Sequence, residues 1–301
     1  MTRAGFATII GRPNVGKSTL VNAIMGEKVS ITSNTPNTTR SAVRGILTTG
    51  DTQVIFVDTP GLHKPKSSLG GRLNDAARGA VEDVDVVIAM VDCGAAIGIG
   101  DRMVLKMLIE TCRHADGPRP FVVVNKVDRT AREAIATQLI SAVDTVVELA
   151  NELGHPSFLD RVEYFPTSAR TGDGVPALVA AVKNSMPESP FLFDDDIVSD
   201  VSEQAWIAEL VREQLVRKTF EESPHSIHCR VAEYEWPHIT VEILVERDSQ
   251  KGMVIGKGGA LLKDVGIATR RQLPEGAFLE LRVRVEPSWQ KRDDILDRLG
   301  Y

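Results

Sequence analysis

The chain has 301 residues, enough for two hydrophobic cores, with 43% apolar and 25% charged residues; that balance excludes a disordered or fibrous protein. A formal net charge of −6 excludes a surface that is basic throughout, so any nucleic-acid contact must come from a local patch. Cys93, Cys112 and Cys229 lack metal-ligand spacing and read as reduced thiols; with no membrane-length apolar run and no signal-peptide core, the expected location is the cytoplasm.

Phe6–Ile10 is a short apolar run that reads as a first strand. Gly11-Arg12-Pro13-Asn14-Val15-Gly16-Lys17-Ser18 follows, and Ser18–Ile24 reads as a helix. Strand, glycine loop and helix in that order turn a G-x-x-x-x-G-K-[ST] match into a phosphate cradle, here Gly11–Thr19. The glycines let main-chain N–H groups aim at a β-phosphate, and the helix start adds the positive end of its dipole. Lys17 is expected to reach the β- and γ-phosphates, and the Ser18 hydroxyl to ligate Mg²⁺.

Lys28–Ala42, rich in Ser, Thr, Asn and Pro and without periodicity, reads as a long loop. Val43–Thr49 and Gln53–Val57 flank Gly50-Asp51, a hairpin signal. Val86–Val91 and Phe121–Val124 are continuous apolar runs, as strands buried on both faces should be. Helical patterns lie at Leu69–Val84, Arg102–His114 and Ala131–Leu153; a last strand near Tyr164 precedes a helix at Val175–Met186. The alternation predicts a doubly wound α/β domain with a mostly parallel sheet over residues 1–186. Ligands of such sheets sit at the carboxyl ends of the strands, where the remaining motifs fall.

Asp58-Thr59-Pro60-Gly61 follows the strand ending at Val57. A carboxylate there can hold Mg²⁺ through its water shell, and the Gly61 N–H can sense a γ-phosphate. Alone the tetrapeptide is an ordinary turn; one strand after a phosphate loop it is a functional candidate. Asn125-Lys126-Val127-Asp128 follows Phe121–Val124. Asp128 can accept guanine N1–H and the exocyclic amine. Adenine presents an acceptor at N1, so such a site rejects it by orders of magnitude. Asn125 can bond the base's other edge, and the Lys126 stem can cover the ring plane. The main-chain N–H groups of Ser168 and Ala169 are candidates for guanine O6.

In this order and spacing the motifs resemble the translation-factor-like class of small GTPases. The resemblance implies that Lys28–Ala42 is switch I and that Thr38 or Thr39, within Asn37-Thr38-Thr39-Arg40, completes Mg²⁺ coordination, with Thr39 preferred. Asp58–Leu62, including Thr59 and Pro60, becomes switch II. Many signalling GTPases carry a water-orienting glutamine directly after the switch II glycine. Leu62 stands there and cannot hydrogen-bond water. The resemblance is therefore to members with a hydrophobic residue at that place, several of which use a phosphate-loop asparagine to hold K⁺ in the role of an arginine finger. Asn14 matches that asparagine, which implies slow intrinsic turnover, faster in K⁺ than in Na⁺. His63 reads as a solvated loop histidine.

Residues 187–200 change character: Pro187, Pro190, Phe191, Phe193 and the solvated run Asp194-Asp195-Asp196 predict a linker packed against something. Ser202–Phe220 is helical by period, with Trp206, Ile207, Leu210, Val211 and Leu215 in one stripe and Glu209, Arg212 and Arg217 elsewhere. Ile227, Cys229 and Val231, then Ile239, Val241, Ile243 and Val245, alternate as two half-buried strands joined around Glu235-Trp236-Pro237. Gly256-Lys257-Gly258-Gly259 leads into a helix at Ala260–Leu273, a strand over Leu279–Val285 and a last helix after Pro287. A G-x-x-G turn between short helices lets a nucleic-acid backbone approach closely, with four unpaired nucleotides alongside. Lys251, Lys257, Lys263, Arg270 and Arg271 surround it, with Asp264 the sole acid in Lys251–Arg271, so the basic patch is local. Trp206 and Trp289 read as core.

This second half, residues 201–301, resembles a type II KH domain, an α+β fold. A P-loop GTPase domain followed by such a domain, with Ser-Gln-Lys-Gly leading into Ile-Gly-Lys-Gly-Gly, is similar over the whole chain to the Era-like bacterial GTPases. That resemblance implies a GTP-hydrolysing switch that uses Mg²⁺ and binds single-stranded RNA through Lys251, Gly256, Lys257, Gly258, Gly259, Lys263 and Arg270. The RNA implied is the 3′ end of small-subunit (16S) rRNA, and the task is maturation of the 30S ribosomal subunit. DNA is not expected, the expected form is a monomer, and peripheral attachment to the inner face of the cell membrane is a further expectation. The chain departs from the family in its short connection at Trp236-Pro237 and its scant basic content outside the glycine turn. An alternative keeps the GTPase and has the KH-like half bind protein or anionic lipid, although no strongly basic amphipathic helix favours it.

Overall fold

The structure is a computed structural model that describes residues 1–33, 35, 38–40, 42–62, 67–219, 226–299 and 301. The chain forms two units: Met1–Ser30, Thr39–Pro65 and Arg72–Asp200 make one, and Ile31–Thr38, Lys66–Gly71 and Val201–Tyr301 the other. Asn37, His63 and Phe220, singled out above, lie outside the described residues.

The first unit is built on β1 (Arg3–Gly11), β2 (Val43–Thr49), β3 (Thr52–Asp58), β4 (Val86–Asp92), β5 (Arg119–Asn125) and β6 (Glu163–Thr167), in the order β2-β3-β1-β4-β5-β6. Neighbours pair in parallel except β2 with β3, the hairpin around Gly50-Asp51. Helices α1 (Lys17–Met25), α2 (Ser68–Gly79), α3 (Ile99–Thr111), α4 (Arg132–Glu152) and α5 (Val175–Asn184) follow β1, β3, β4, β5 and β6.

Strand β4 shows why a continuous apolar run becomes a central strand. Val87, Ala89 and Val91 join a core with Leu105 and Leu108 of α3 and Val146 and Leu149 of α4. Val86, Ile88 and Met90 join a second core with Leu20 and Val21 of α1 and Leu178 and Val182 of α5. With each buried side chain worth about 1.5–3 kcal/mol over an exposed one, both faces favour apolar residues. The parallel strands β1, β3 and β5 end at Gly11, Asp58 and Asn125, which sets all three motifs along one edge of the sheet.

Two helices differ from their expected spans. Helix α2 stops at Gly79 rather than running to Val84, and Asp83 beyond it takes a left-handed φ of 53°. Helix α3 starts three residues early, because the Asp101 carboxylate accepts the Gly98 N–H at 2.9 Å and caps the first turn. Residues of the 187–200 stretch lie against the first unit. The buried Gln53 accepts the N–H groups of Leu192 and Phe193 and donates to the Phe193 carbonyl.

The second unit holds α6 (Glu203–Lys218), β7 (His228–Glu235), β8 (His238–Val245), α7 (Asp248–Ile255), α8 (Ala260–Arg270), β9 (Phe278–Val285) and α9 (Asp293–Arg298). Its sheet runs β7-β8-β9, with β7 antiparallel to β8 and β8 parallel to β9. Ile207, Val211 and Leu215 of α6 meet Val241, Ile243, Val254 and Val265 in one core. Trp289 is wholly buried and donates to the Ser226 carbonyl at 2.9 Å, whereas Trp206 is only half-buried. Glu235 faces His238 across a turn made by Trp236-Pro237 alone.

Candidate functional site

At the end of β1 the chain turns through Asn14 and Gly16, at φ 63° and 106°, and enters α1 at Lys17. The Lys17 ammonium donates to the Gly11 carbonyl at 3.2 Å, folding over the loop. Burial pulls its pKa down to about 8, an effect that Asp58 partly opposes. Asp58, at the end of β3, is wholly buried. Burial pushes its carboxyl up, and the charge of Lys17 and the hydroxyls of Ser18, Ser30 and Thr39 draw it back.

These groups form one cluster. Ser18 Oγ lies 2.9 Å from Thr39 Oγ1, and Asp58 Oδ2 accepts from Ser30 Oγ at 2.8 Å and Thr39 Oγ1 at 3.3 Å. Asp58 Oδ1 is buried and accepts no hydrogen bond from any described residue. Two hydroxyls beside a carboxylate with an unspent oxygen are the hard oxygen donors Mg²⁺ prefers. Thr38 does not share the cluster: its hydroxyl sits 2.5 Å from Ser33 Oγ and donates to the Thr35 carbonyl at 2.8 Å. Ser30 joins it without a sequence motif to mark it.

Next in switch II, Thr59 is buried and donates to the Ile9 carbonyl at 2.7 Å. Gly61 lies so close to Pro13 that a Cβ there would stand 2.7 Å from the Pro13 nitrogen, so only glycine fits. Leu62 is buried, and its N–H donates to the Gly11 carbonyl at 3.3 Å.

The base-recognition residues gather at the end of β5. Asp128 Oδ1 accepts the Ser168 hydroxyl at 2.7 Å. Oδ2 is buried and accepts no hydrogen bond, with Arg170 Nε 3.2 Å away as its charge partner. The carboxylate is thus aimed through one oxygen, while the other faces the Arg170 guanidinium. Lys126, at φ 72°, anchors its ammonium on the Asn14 carbonyl and Asp92, each at 2.7 Å, which stretches its stem across the site.

Around this carboxylate the strand-end groups brace one another. The Ser168 N–H donates to the Asp173 carbonyl at 2.8 Å and the Ala169 N–H to Asn125 Oδ1 at 2.9 Å. Asn125 is buried, and its amide donates to the Val15 carbonyl at 2.8 Å, tying the phosphate loop to the end of β5. A buried hydrogen-bonding side chain at a strand end satisfies neighbouring loops. The Ser168 hydroxyl is the group that touches Asp128.

Thr32 and Thr38 fall in the second unit, where α6 holds them. The buried Glu213 carboxylate accepts the Thr32 N–H at 3.0 Å and Arg217 at 3.0 Å. Arg217 also donates to the Thr32 carbonyl at 3.1 Å. Arg212, 1% exposed, donates to the Thr38 carbonyl and to Glu209. Burial opposes its charge, and the Glu209 carboxylate more than offsets that. Helical periodicity sets Arg212 off the apolar stripe, and only a partner distant in sequence explains its burial.

Between α7 and α8, Gly256, Gly258 and Gly259 take φ values of 74°, 60° and 79°. A side chain at Gly256 would also strike Leu261, whose Cβ stands 2.7 Å from the position of a Cβ. The turn therefore needs glycine for its path and leaves Lys257 and Gly258 exposed at its tip. Lys263 and Arg270 are exposed on α8, and Lys251 is half-buried on α7. The Gln250 side chain accepts the N–H groups of Glu246 and Arg247 at 2.8 and 3.2 Å, fixing the start of α7.

The sequence matches the family model described as a 50S ribosome-binding GTPase over residues 6–126 and that of the KH domain over residues 222–290. GTPase Era of Mycobacterium tuberculosis (strain H37Rv) is 39% identical over 99% of this chain and 98% of the relative. That of Clostridium beijerinckii is 40% identical over 100% and 98%. Era solved in complex with MgGDPNP and nucleotides 1506–1542 of 16S ribosomal RNA superimposes with a TM-score of 0.88 at 33% identity, covering 100% of this chain and 99% of that one. An Aquifex aeolicus Era variant bound to GDP·AlF₄⁻ gives 0.87 at 32% identity with the same coverage. The chain belongs to the Era family of GTPases: it is an enzyme that hydrolyses GTP, built as a P-loop GTPase domain followed by a KH domain.

Proposed function

We propose that this GTPase is a GTP-driven switch that grips single-stranded RNA at the 3′ end of small-subunit (16S) rRNA and assists maturation of the small ribosomal subunit in the cytoplasm. The observation that carries the RNA reading is the exposed turn of left-handed glycines at Gly256–Gly259, with Lys251, Lys257, Lys263 and Arg270 about it. A backbone without side chains lets phosphates approach, and the cations favour them. The Era structure that holds 16S nucleotides matches the full chain and supports the same RNA here.

Residues 1–186 serve as the GTPase half, 187–200 as the joint and 201–301 as the RNA half. Gly11–Thr19 cradles the phosphates, with Arg12, Pro13 and Val15 shaping the loop. Mg²⁺ would be held by Ser18 and Thr39, and through water by Asp58, where it neutralises charge on the β- and γ-phosphates. The unspent Asp58 Oδ1 fits that donor set. Gly61, packed on Pro13, is placed to register the γ-phosphate. Asp128 reads guanine, with Oδ2 exchanging its Arg170 partner for the base, and the Lys126 stem covers the ring. K⁺ beside Asn14 supplies the charge that an arginine finger supplies elsewhere. GTP bound at Thr39 is then felt by α6, which holds Thr32 and Thr38. No helix among the described residues is long and apolar enough to cross a membrane.

Crosslinking to RNA in cells, with wild type and Gly258→Asp compared, tests the reading. Nothing stands within 4 Å of a Cβ at Gly258, and aspartate is among the residues that adopt a left-handed φ at least cost, so the variant places an acid where phosphate should approach and unchanged circular dichroism is its fold control. A peak at the 3′ end of small-subunit rRNA, lost in the variant, is expected. No RNA above background would refute the reading and move the search to protein or lipid.

A further inference from the structure

Helix α1 and the end of β3 are joined by a chain of polar side chains outside the nucleotide motifs. Ser18 lies in the first turn of α1, and Asn22 follows one turn later on the same face. The Asn22 side-chain carbonyl accepts the N–H groups of Val29 at 3.0 Å and Ser30 at 2.9 Å. Its amide donates to the Ser30 carbonyl at 2.8 Å. Val29 is buried in the core that also takes Leu20, Val21 and Ile24 of α1. Both main-chain groups of Ser30 are therefore held, and the residue before it is anchored.

Ser30 is itself buried, and its hydroxyl donates to Asp58 Oδ2 at 2.8 Å. Thr39 donates to the same oxygen at 3.3 Å, while Oδ1 accepts from no described residue. The last torsion of an aspartate is soft, so the side chain does not by itself decide which oxygen faces which way. Hydrogen bonds decide it, and they count for most where the carboxylate is shut off from water, as Asp58 is. The two donors differ in what else they do. The Thr39 hydroxyl also meets Ser18 Oγ at 2.9 Å, as one candidate Mg²⁺ ligand beside another. Ser30 is instead fastened, through Asn22, to the helix that carries Ser18.

We infer that Ser30, held by Asn22, is a positioning residue for the Mg²⁺ site. Its hydroxyl fixes the Asp58 carboxylate with Oδ2 turned to the protein and Oδ1 left for the ion's water shell. The inference rests on the reading that Asp58 holds Mg²⁺ through water. All of these residues belong to the first unit, so the device needs nothing from the RNA half.

The test uses the full chain in an equimolar complex with GDP and titrates Mn²⁺ in place of Mg²⁺. The free-ion EPR signal reports the unbound fraction. Ser30→Ala should weaken Mn²⁺ binding by about tenfold or more, the usual cost of losing a group that orients a metal ligand. Asn22→Ala, which frees both main-chain groups of Ser30, should weaken it as well. GDP affinity in excess EDTA should stay within about twofold of wild type in Ser30→Ala, because the metal-free complex loses nothing it uses. Asp58→Ala sets the scale, and adding Ser30→Ala to it should cost less than about twofold more, since Ser30 acts through Asp58. Unchanged Mn²⁺ binding in Ser30→Ala or Asn22→Ala, with a loss in Asp58→Ala, would overturn the inference alone. Additive losses in the double variant, or an equal loss of GDP affinity in EDTA, would overturn it by making Ser30 a general structural residue. Unchanged Mn²⁺ binding in Asp58→Ala would overturn the metal reading along with it.

Discussion

The Arg212 guanidinium donates to the main-chain carbonyl of Thr38, and the next residue, Thr39, sets its hydroxyl 2.9 Å from Ser18 Oγ. The chain passes from the second unit to the first between these two threonines. One peptide bond therefore separates a residue tied to the RNA half from one in the candidate metal cluster. Arg212→Met keeps most of the volume and removes the bond. For a switch of ordinary strength the wild-type preference for RNA with GDPNP over GDP is about 5–150-fold. The variant should bring that ratio to within about twofold of parity while leaving RNA affinity in the GDP state unchanged. Anisotropy with an oligonucleotide of the 16S 3′ end, measured in both states, reads the ratio directly; a wild-type ratio in the variant would remove this bond from the switch.

Lys17 makes nucleotide binding sensitive to pH. Its folded pKa of about 8 lies below the ordinary lysine value of 10.5 because burial disfavours the charge. Depressed in this way, the group contributes stability that is fully present above 10.5 and is lost as pH falls through about 8. Nucleotide binding has the opposite sign: phosphate restores the ammonium, so above pH 8 binding must take up a proton. Affinity for GDP should fall by up to about tenfold per pH unit there and be flat, as far as this group is concerned, in acid. Titration calorimetry at about pH 9, in two buffers of different ionisation enthalpy, should find close to one proton taken up. No uptake and a flat affinity would show that Lys17 stays charged in the free protein.

The parts of the fold and site legible in sequence were those set by local rules. The apolar runs of β4 and β5 and the glycine loop between β1 and α1 are short-range signals, and they place Lys17, Asp58 and Asp128 on one edge. What escaped depends on partners distant in the chain. Arg212 and Glu213 look like solvent-facing positions of an amphipathic helix until Thr38 and Thr32 meet them. Ser30 becomes a partner of Asp58 only because a loop returns to the end of β3. The motif marks Asn125 but not its bonds to the Val15 carbonyl and the Ala169 N–H, which tie three loops together. Periodicity cannot report a tertiary hydrogen bond that overrides a local preference.

On the proposed reading, guanine is selected by a carboxylate that a hydroxyl aims. Ser168 donates to Asp128 Oδ1 at 2.7 Å, leaving buried Oδ2 without a donor. Asp128→Asn replaces an acceptor with an amide that donates, and should weaken GDP by about a thousandfold or more. Xanthosine diphosphate, which offers a carbonyl in place of the exocyclic amine, should regain most of that loss. Ser168→Ala should weaken GDP only about tenfold, since it removes one hydrogen bond to a charged group and leaves the carboxylate in place. Competition binding with the two diphosphates gives both numbers; an Asp128→Asn variant that keeps its preference for guanine would move base recognition elsewhere.

The proposed monovalent cation concerns the hydrolytic step. Leu62 is buried and cannot orient water, so charge developing on the transferred phosphoryl group needs another source of stabilisation. Asn14 is exposed on the phosphate loop at φ 63°, and its carbonyl accepts from the Lys126 ammonium at 2.7 Å. On the proposed reading its side chain would hold K⁺. Turnover in K⁺ should exceed that in Na⁺ by roughly tenfold or more, since one well-placed charge contributes on the order of 2.7–4 kcal/mol at most. Asn14→Ala should bring the K⁺ rate down to the Na⁺ rate while leaving GDP affinity within about twofold, because lost transition-state charge lowers the rate and not ground-state binding. Phosphate release under single-turnover conditions in matched chloride salts measures this. Equal rates in the two salts for the wild type, with and without RNA, would leave the site without a monovalent cation and assign the stabilisation to Mg²⁺ and Lys17 alone.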